Sequence, residues 1–222
     1  MSSQNLAARH VCSVCSGATL RAFLQVGDRL YHRCANCHAT VMDPQGWLSP
    51  EEEAAVYRLH DNNVEDPGYR RFLNRLVEPL IRELTPGARG LDFGCGPGPA
   101  LAAMMCEQGM SVSLYDPVFA PDDSVFERQW DFITCTEVIE HLRDPAAVFR
   151  QLDRMLVPGG RLGVMTCFQT DDDRFANWHY RRDPTHIVFY RERTLQWLAD
   201  DLGWSLAIPR KDVALFRKKR GL

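Results

Sequence analysis

No apolar run in the 222 residues approaches the ~20 that a membrane-spanning helix needs, and the opening MSSQNLAARH lacks the apolar stretch of a secretory signal. A cytoplasmic protein without membrane contact is therefore expected. Charge of one sign is equally scarce: 26 Lys and Arg stand against 29 Asp and Glu, a formal net charge of −3. That balance excludes a strong overall basic field, so any nucleic-acid role has to rest on a local patch. Internal repeats and low-complexity tracts are absent, and 45% hydrophobic with 25% charged residues excludes global disorder. The length admits one full α/β domain with a small appendage, and excludes two full-sized domains.

Cysteine, by contrast, is plentiful for a reducing compartment. Four of the eight fall in two pairs, Cys12-Ser-Val-Cys15 and Cys34-Ala-Asn-Cys37, separated by 18 residues. This matches the C-x2-C-x15–20-C-x2-C spacing of a tetrahedral zinc site. Between the pairs, Leu20 to Tyr31 reads as a hairpin centred on Gly27-Asp28, so residues 1–48 are predicted to form a zinc ribbon. Four thiolates fill every position around the ion, which makes the metal structural: it stands in for a core that so short a segment cannot build. His10 and His38, beside the pairs, are read as surface residues.

Residues 49–86 are predicted to be helical. Ser49-Pro50-Glu51-Glu52 supplies a cap, a proline at the first helical position and a capping-box glutamate in order. A polar break at His60-Asp61-Asn62-Asn63 follows, then a second start at Asp66-Pro67 and an apolar face through Phe72, Leu73, Leu76, Val77, Leu80, Ile81 and Leu84. These two helices are expected to cap the main domain. Tyr57, His60 and Asn62, at their junction, are read either as a lid or as a polar helix end in solvent.

From residue 87 to 222 strand-like and helix-like runs alternate, the pattern of βαβ units in a parallel, doubly wound sheet. Strands are predicted over 89–93, 111–115, 131–136 and 161–166, helices over 99–109, 145–157 and 192–202, and a final hairpin over 204–208 and 213–217. The loop Gly94-Cys95-Gly96-Pro97-Gly98 joins the first strand to a helix, the place where such sheets bind nucleotide-like ligands. Pro99 stands where a dinucleotide fingerprint has its third glycine, and no Walker lysine follows. Asp92, just ahead of the loop, suits a ligand with positive charge better than a diphosphate. S-adenosylmethionine (SAM) carries both an ammonium and a sulfonium. Asp116 ends the second strand about 20 residues on, where an acid accepts both ribose hydroxyls.

Together LDFGCGPG, the acid of LYDP, the run WDFITCTEVIEHL and the turn Pro158-Gly159-Gly160 resemble class I SAM-dependent methyltransferases over roughly residues 88–222. The resemblance implies a Rossmann-like sheet of seven strands, one antiparallel. It implies that Asp92, Gly94, Gly96 and Gly98, with Cys95 among them, line the cofactor, that Asp116 holds its ribose, and that Thr136 with Glu137 meets its far end. One departure stands out: only Pro117 to Trp130 separates the ribose acid from the next strand, too short for the helix, strand and helix the family places there. The sheet is expected to lack or shorten its edge strand, and Asp122, Asp123 and Glu127 are weak candidates for an adenine-contacting acid.

Methyl transfer from a sulfonium needs orientation and water exclusion more than a base. His141, Tyr180 and His186 are the substrate-side candidates, because both segments follow strands at the end where α/β sheets bind ligands. His186 is read as a base, or as a structural histidine bonded to Asp183 or to backbone. His141 is read as a site residue, or with Glu140 as a cap on the helix near Asp144-Pro145. Trp178, Tyr180 and Tyr190 either stack on a flat substrate or pack the loop down. Asp171-Asp172-Asp173 reads as a solvated run, and Cys106, Cys135 and Cys167 as buried structural thiols.

Three functions are compatible with these features. The first is methyl transfer to the oxygen, nitrogen or carbon of a small-molecule metabolite. The second is an RNA methyltransferase using the ribbon (Arg9, Arg21, Arg29 and Arg33) and the basic stretch from Arg210 to Arg220 on phosphates. The third is a non-catalytic SAM-binding interaction protein. The thin basic excess of the ribbon and the absence of a D/N-P-P-Y signature favour the metabolite. No feature of the sequence sets an oligomeric state.

Overall fold

The computed structural model describes residues 11–17, 20–59 and 62–220. Arg9, His10 and His60, singled out above, lie outside the described residues. The ribbon opens with β1 (Leu20–Val26) and β2 (Arg29–Cys34), antiparallel and joined through Gly27 at a φ of +60°. A short β3 (Thr40–Met42) adds to β2.

Ser49 then caps α1 (Pro50–Tyr57) through the expected box: Glu52 N–H donates to Ser49 Oγ at 3.3 Å, and Ser49 N–H to Glu52 Oε2 at 2.8 Å. Asp66 caps α2 (Pro67–Ile81) by accepting from Tyr69 N–H at 2.6 Å.

The main domain follows as β4 (Arg89–Phe93), α3 (Ala100–Glu107), β5 (Ser111–Tyr115), β6 (Trp130–Thr136), α4 (Pro145–Met155) and β7 (Leu156–Met165). It continues with α5 (His179–Arg182), β8 (Val188–Phe189), α6 (Glu192–Asp201), β9 (Ser205–Arg210) and β10 (Val213–Arg217). Asp144, not Glu140 or His141, caps α4, through Ala147 N–H at 2.9 Å.

Six strands form the main sheet in the order β5-β4-β6-β7-β10-β9. The first four are parallel, and β10 runs antiparallel to both of its neighbours. The resemblance implied seven; among the described residues the sheet stops at β5. The segment after Asp116 holds only a 3-10 turn over Asp123–Glu127, which cannot form the missing strand. Alternation along the strands feeds two cores. Phe132, Met165, Val213 and Leu215 pack with α2 and α3, while Ile133, Val164, Ala214 and Phe216 join Phe149, Leu152, Leu195 and Leu198 on the other face.

Two features depart from a three-part chain. α2 lies on the sheet beside α3, its buried stripe Leu73, Leu76, Val77 and Leu80 continuous with the core, so it is a layer helix and not a cap. The ribbon sheet is four-stranded, because β8 pairs antiparallel with β3 and Met42 N–H donates to Ile187 O at 2.8 Å. Tyr31, Val41 and Met42 consequently share one core with the main sheet.

Candidate cofactor and substrate site

A cavity of about 810 Å³ opens at the C-terminal ends of β4, β5 and β6, the topological position where an open α/β sheet takes its ligand. Its first wall is the glycine loop. Gly94 (φ +78°) and Gly96 (φ +64°) occupy the left-handed region that a side chain resists. In that shape Gly94 N–H donates to Tyr115 O at 2.7 Å and Gly96 N–H to Asp116 Oδ2 at 3.1 Å. Val118 and Phe119 N–H donate to Asp116 Oδ1 at 2.8 and 3.0 Å, so the carboxylate is fixed at the cavity edge. A carboxylate offers about four lone-pair sites, and these three bonds leave acceptor capacity for a ligand hydroxyl.

Gly94, Cys95, Gly96, Asp116, Thr136 and Glu137 all line the cavity; Asp92 and Gly98 do not. Asp92 sits beneath the loop, 4% exposed, and accepts from Thr134 Oγ1 at 2.8 Å; burial pushes its carboxyl up to about 6. Gly98 is covered by Asn62, whose carbonyl oxygen leaves no room for a Cβ. Burial, aided by Asp92 and Asp116, raises the Cys95 thiol to about 12, so it lines the cavity as a neutral group. Thr136 Oγ1 is buried with no hydrogen-bond partner among the described residues. Glu137 holds a φ of +53°, uncommon for a residue with a side chain, and burial raises its carboxyl to about 7 against the pull of Tyr180 and Arg75.

His141, Tyr180 and His186 also line the cavity, with His186 against both of the others. The two imidazole centroids are 4.7 Å apart, and the ring of Tyr180 is 4.2 Å from His186. His141 Nδ1 pairs with Thr185 O at 3.1 Å and His186 Nδ1 with Tyr180 O at 2.7 Å. A carbonyl only accepts, so each Nδ1 carries the hydrogen, and in the neutral ring Nε2 is the lone-pair nitrogen. Tyr180 O–H donates to the fully buried Glu140, and its oxygen lies 2.9 Å from Thr166 Oγ1. Burial drives the Glu140 carboxyl well up, and the Tyr180 phenol likewise. Asp183 goes the other way: burial opposes it, but hydrogen bonds from Thr185 and the nearby histidines hold its carboxyl below the usual range.

Trp178 and Tyr190 serve packing. Trp178 lies against Tyr180 at 5.2 Å and Phe189 at 5.9 Å, and Tyr190 is fully buried with its hydroxyl on Ile139 O at 2.9 Å. The cavity also takes Tyr57 and Glu53 from α1, Tyr69 and Phe72 from α2, and Val118 with Phe119 after β5. Glu53, Tyr69, Val118 and Phe119 carried no motif, and Phe72 read as plain core because it belongs to the apolar stripe of α2. Asp122, Asp123 and Glu127 stay outside the cavity wall; Asp122 caps its own turn through Ser124 N–H at 3.0 Å.

At the ribbon, the Sγ atoms of Cys12, Cys15, Cys34 and Cys37 all lie within 4.8 Å of one another, with 3.6 Å between Cys12 and Cys37 and between Cys15 and Cys34. Asn36 and Cys37 N–H both point at Cys34 Sγ at 3.4 Å, the polarity a thiolate needs. The cluster is compatible with a tetrahedral metal site. His38 is half-buried and outside it.

Three surface expectations need correction. Cys106 is exposed and Cys167 only half-buried, although Cys135 is fully buried as expected. Asp172 is no idle acid: it takes Arg33 of the ribbon at 2.7 Å, Arg191 and Gln169 Nε2, which clamps ribbon to domain. The basic end is partly committed to the chain itself, with Arg210 on Glu78 and Lys218 on Asp153 at 3.2 Å. Among the described residues no helix is long and apolar enough to cross a membrane.

A family model described as a methyltransferase domain matches residues 65–207, well over half of the chain. The chain belongs to this methyltransferase-domain family. It is 32% identical to a ubiquinone biosynthesis O-methyltransferase of Xanthomonas campestris pv. campestris over 43% of this chain and 50% of that protein. A protein of the same name from Pseudomonas syringae pv. tomato is 36% identical over 35% of this chain and 33% of its own length. The chain thus spans about half the length, or less, of these curated relatives. Among solved structures, the Burkholderia thailandensis 1,6-didemethyltoxoflavin-N1-methyltransferase, with its substrate and S-adenosylhomocysteine bound, is 18% identical, covers 90% of this chain and 99% of its own, and superposes with a TM-score of 0.49.

Proposed function

We propose that the protein is a SAM-dependent methyltransferase whose acceptor is a hydroxyl of a small, flat metabolite. One observation carries this reading: a single cavity joins the glycine loop, Asp116, Thr136 and Glu137 on one side to Tyr180, His141 and His186 on the other. The cofactor side fits SAM. Gly94 and Gly96 keep side chains off the approach, Asp116 has acceptor capacity for ribose hydroxyls, and Thr136 Oγ1 is an orphaned polar atom that a ligand would satisfy. Bound there, SAM supplies a methyl group on a positively charged sulfur, with the Asp116 and Glu137 carboxyl groups on the cavity wall beside it. On the substrate side, His141 and His186 are the groups placed to bond an acceptor hydroxyl, with their Nε2 atoms 4.0 Å from Glu140 Oε1 and 3.9 Å from Asp183 Oδ2. Tyr57, Tyr69, Phe72 and Tyr180 give the cavity aromatic walls suited to a flat ring and to keeping water out.

The four cysteines are proposed to hold a structural zinc ion. Zn–S bonds of about 2.3 Å in a tetrahedron put sulfurs ~3.8 Å apart, close to the 3.6 Å separations here. Thiolates of this kind suit a reducing compartment, the cytoplasm. The metabolite is favoured over RNA because Arg33, Arg210 and Lys218 are already held by acids of this chain.

The test is to incubate the zinc-loaded protein with methyl-labelled SAM and size-fractionated cell extract, with and without RNase. Label in the low-mass fraction is expected. Label in RNase-sensitive macromolecules would move the acceptor to RNA, and SAM binding with no label transferred would leave a non-catalytic binder.

A further inference from the structure

The two sheets of the described residues end in β1 and β8 at the ribbon and in β5 and β9 at the main domain. An edge strand presents a row of unpaired backbone N–H and C=O groups, which proteins blunt with charge, proline, a bulge or brevity. Three of these edges are blunted. β1 carries Arg21 and breaks register between Ala22 and Leu24, β8 is only two residues long, and β9 carries Pro209 and Arg210. β5 has none of these devices: Ser111-Val112-Ser113-Leu114-Tyr115 is uncharged, free of proline and in unbroken register with β4. We propose that the free edge of β5 pairs antiparallel with β5 of a second copy of this chain, joining two main sheets into one across a twofold axis at Ser113.

The backbone sets that register. Ser111 N–H donates to Ala88 O at 3.0 Å and Tyr115 O accepts from Gly94 N–H at 2.7 Å, so residues 111, 113 and 115 point their backbone groups inward at β4. Those of Val112 and Leu114 point outward, where neither residue has a hydrogen-bond partner among the described residues. The next outward N–H groups are already used: Met110 donates to Met105 O at 3.1 Å and Asp116 to Ala120 O at 3.0 Å. A twofold at Val112 sets Leu114 opposite Met110, and a twofold at Leu114 sets Val112 opposite Asp116, so each wastes a donor. Only a twofold at Ser113 places Val112 opposite Leu114 of the other copy, where each such pair exchanges both of its N–H···O bonds.

The side chains suit the same register. Val112 faces Leu114 of the other copy, Ser113 faces its own twin and Ser111 faces Tyr115, so apolar meets apolar and no like charges are opposed. A contact of this kind is isologous: one patch serves both copies and the assembly closes at two. The strand that gains a neighbour also frames the cavity, because Tyr115 O accepts from Gly94 and Cys95 N–H and Asp116 follows it. Since the two copies of β5 run in opposite directions, the two cavities open at opposite ends of the joined sheet. The pairing is independent of what the cavity binds.

The test is sedimentation equilibrium of the full, zinc-loaded chain over a ~100-fold range of concentration, expected to show a monomer–dimer equilibrium that reaches twice the 25.3 kDa of the chain. Leu114→Pro deletes an outward N–H that β4 does not use, and Ser113→Lys sets two like charges opposite each other. Each is expected to weaken dimerisation at least ~10-fold while a cooperative thermal melt shows that the fold is kept. Cysteine reads the register: facing residues of the Ser113 type lie about 4.5 Å apart at Cα, within reach of a disulfide, so Ser113→Cys is expected to form a covalent dimer under oxidised glutathione. Ser111→Cys stands far from its own twin and is expected to stay at the wild-type background set by the exposed Cys106. Both cysteine variants keep the N–H groups that bind β4, so they decide the matter even where Leu114→Pro unfolds. A wild type that is monomeric at every concentration, undiminished dimerisation in the folded variants, or equal cross-linking of Ser113→Cys and Ser111→Cys would overturn the proposal.

Discussion

The ribbon and the main sheet hold their side chains in place by different physical means. The sheet uses burial: its strands alternate between two apolar cores, so a residue at a strand end, such as Asp116 or Thr136, inherits its position from many neighbours. The ribbon has little core of its own and relies on four convergent sulfurs and on β8, a strand contributed by the main domain. Because the cavity-lining His186 sits two residues before β8, the ribbon sheet comes within two residues of the cavity wall. A small module that completes its sheet with a strand of its neighbour shares the neighbour's core.

Breaking the ribbon is expected to have the largest effect. Cys34→Ser removes the sulfur that receives two backbone N–H groups, and should abolish metal retention and lower methyl transfer by about 100-fold or more. Metal content and turnover measured on the same sample check it; full turnover without the ion would make the ribbon a mere appendage.

On the sheet side, Gly98→Ala drives a methyl group to 1.7 Å from the Asn62 carbonyl oxygen, so the chain lying over the loop has to move. S-adenosylhomocysteine affinity should fall about tenfold or more while the melting temperature changes little, as calorimetry and circular dichroism would show.

A subtler contrast concerns pH. The Asp92 carboxyl is raised from 3.8 to about 6, so the folded protein binds its proton more tightly than the unfolded chain. Its contribution is complete below pH ~4 and is lost as pH rises through about 6. Asp92→Asn should therefore gain stability over the wild type between pH 4 and 7, by roughly 3 kcal/mol at most, while losing charge that favours SAM. Parallel melting curves without ligand decide it, and a difference independent of pH would refute the burial of an ionisable carboxylate.

The smallest effect is expected at the clamp. Asp172 is partly exposed, so Asp172→Ala should cost about 1 kcal/mol or less, with S-adenosylhomocysteine affinity unchanged.

What the sequence disclosed follows the same divide. Local chemistry was legible: the C-x-x-C spacing, the capping box at Ser49, the strand-loop-helix around Gly94 and the limits of β4 and β5 each depend on residues within a few positions. The shortened edge of the sheet was legible too, since Pro117 to Trp130 is simply too short. Pairing at long range was not. Nothing near Val188 announces that it pairs with Val41, and nothing in the Asp171–Asp173 run tells that Arg33 and Arg191 converge on its middle member. The stripe of α2 was visible, but not whether it faced the sheet or served as a cap, because an apolar face carries no address. That Glu140 is buried and takes the Tyr180 hydroxyl was not legible either, because its partner stands 40 positions on.

The most direct test of the central claim, that the cavity at the strand ends is a SAM site, is a calorimetric titration of S-adenosylhomocysteine into the wild-type chain and into Asp116→Asn. The account predicts one molecule bound per chain and affinity weakened about tenfold or more in the variant. No binding by the wild type, or equal binding by both, would contradict it.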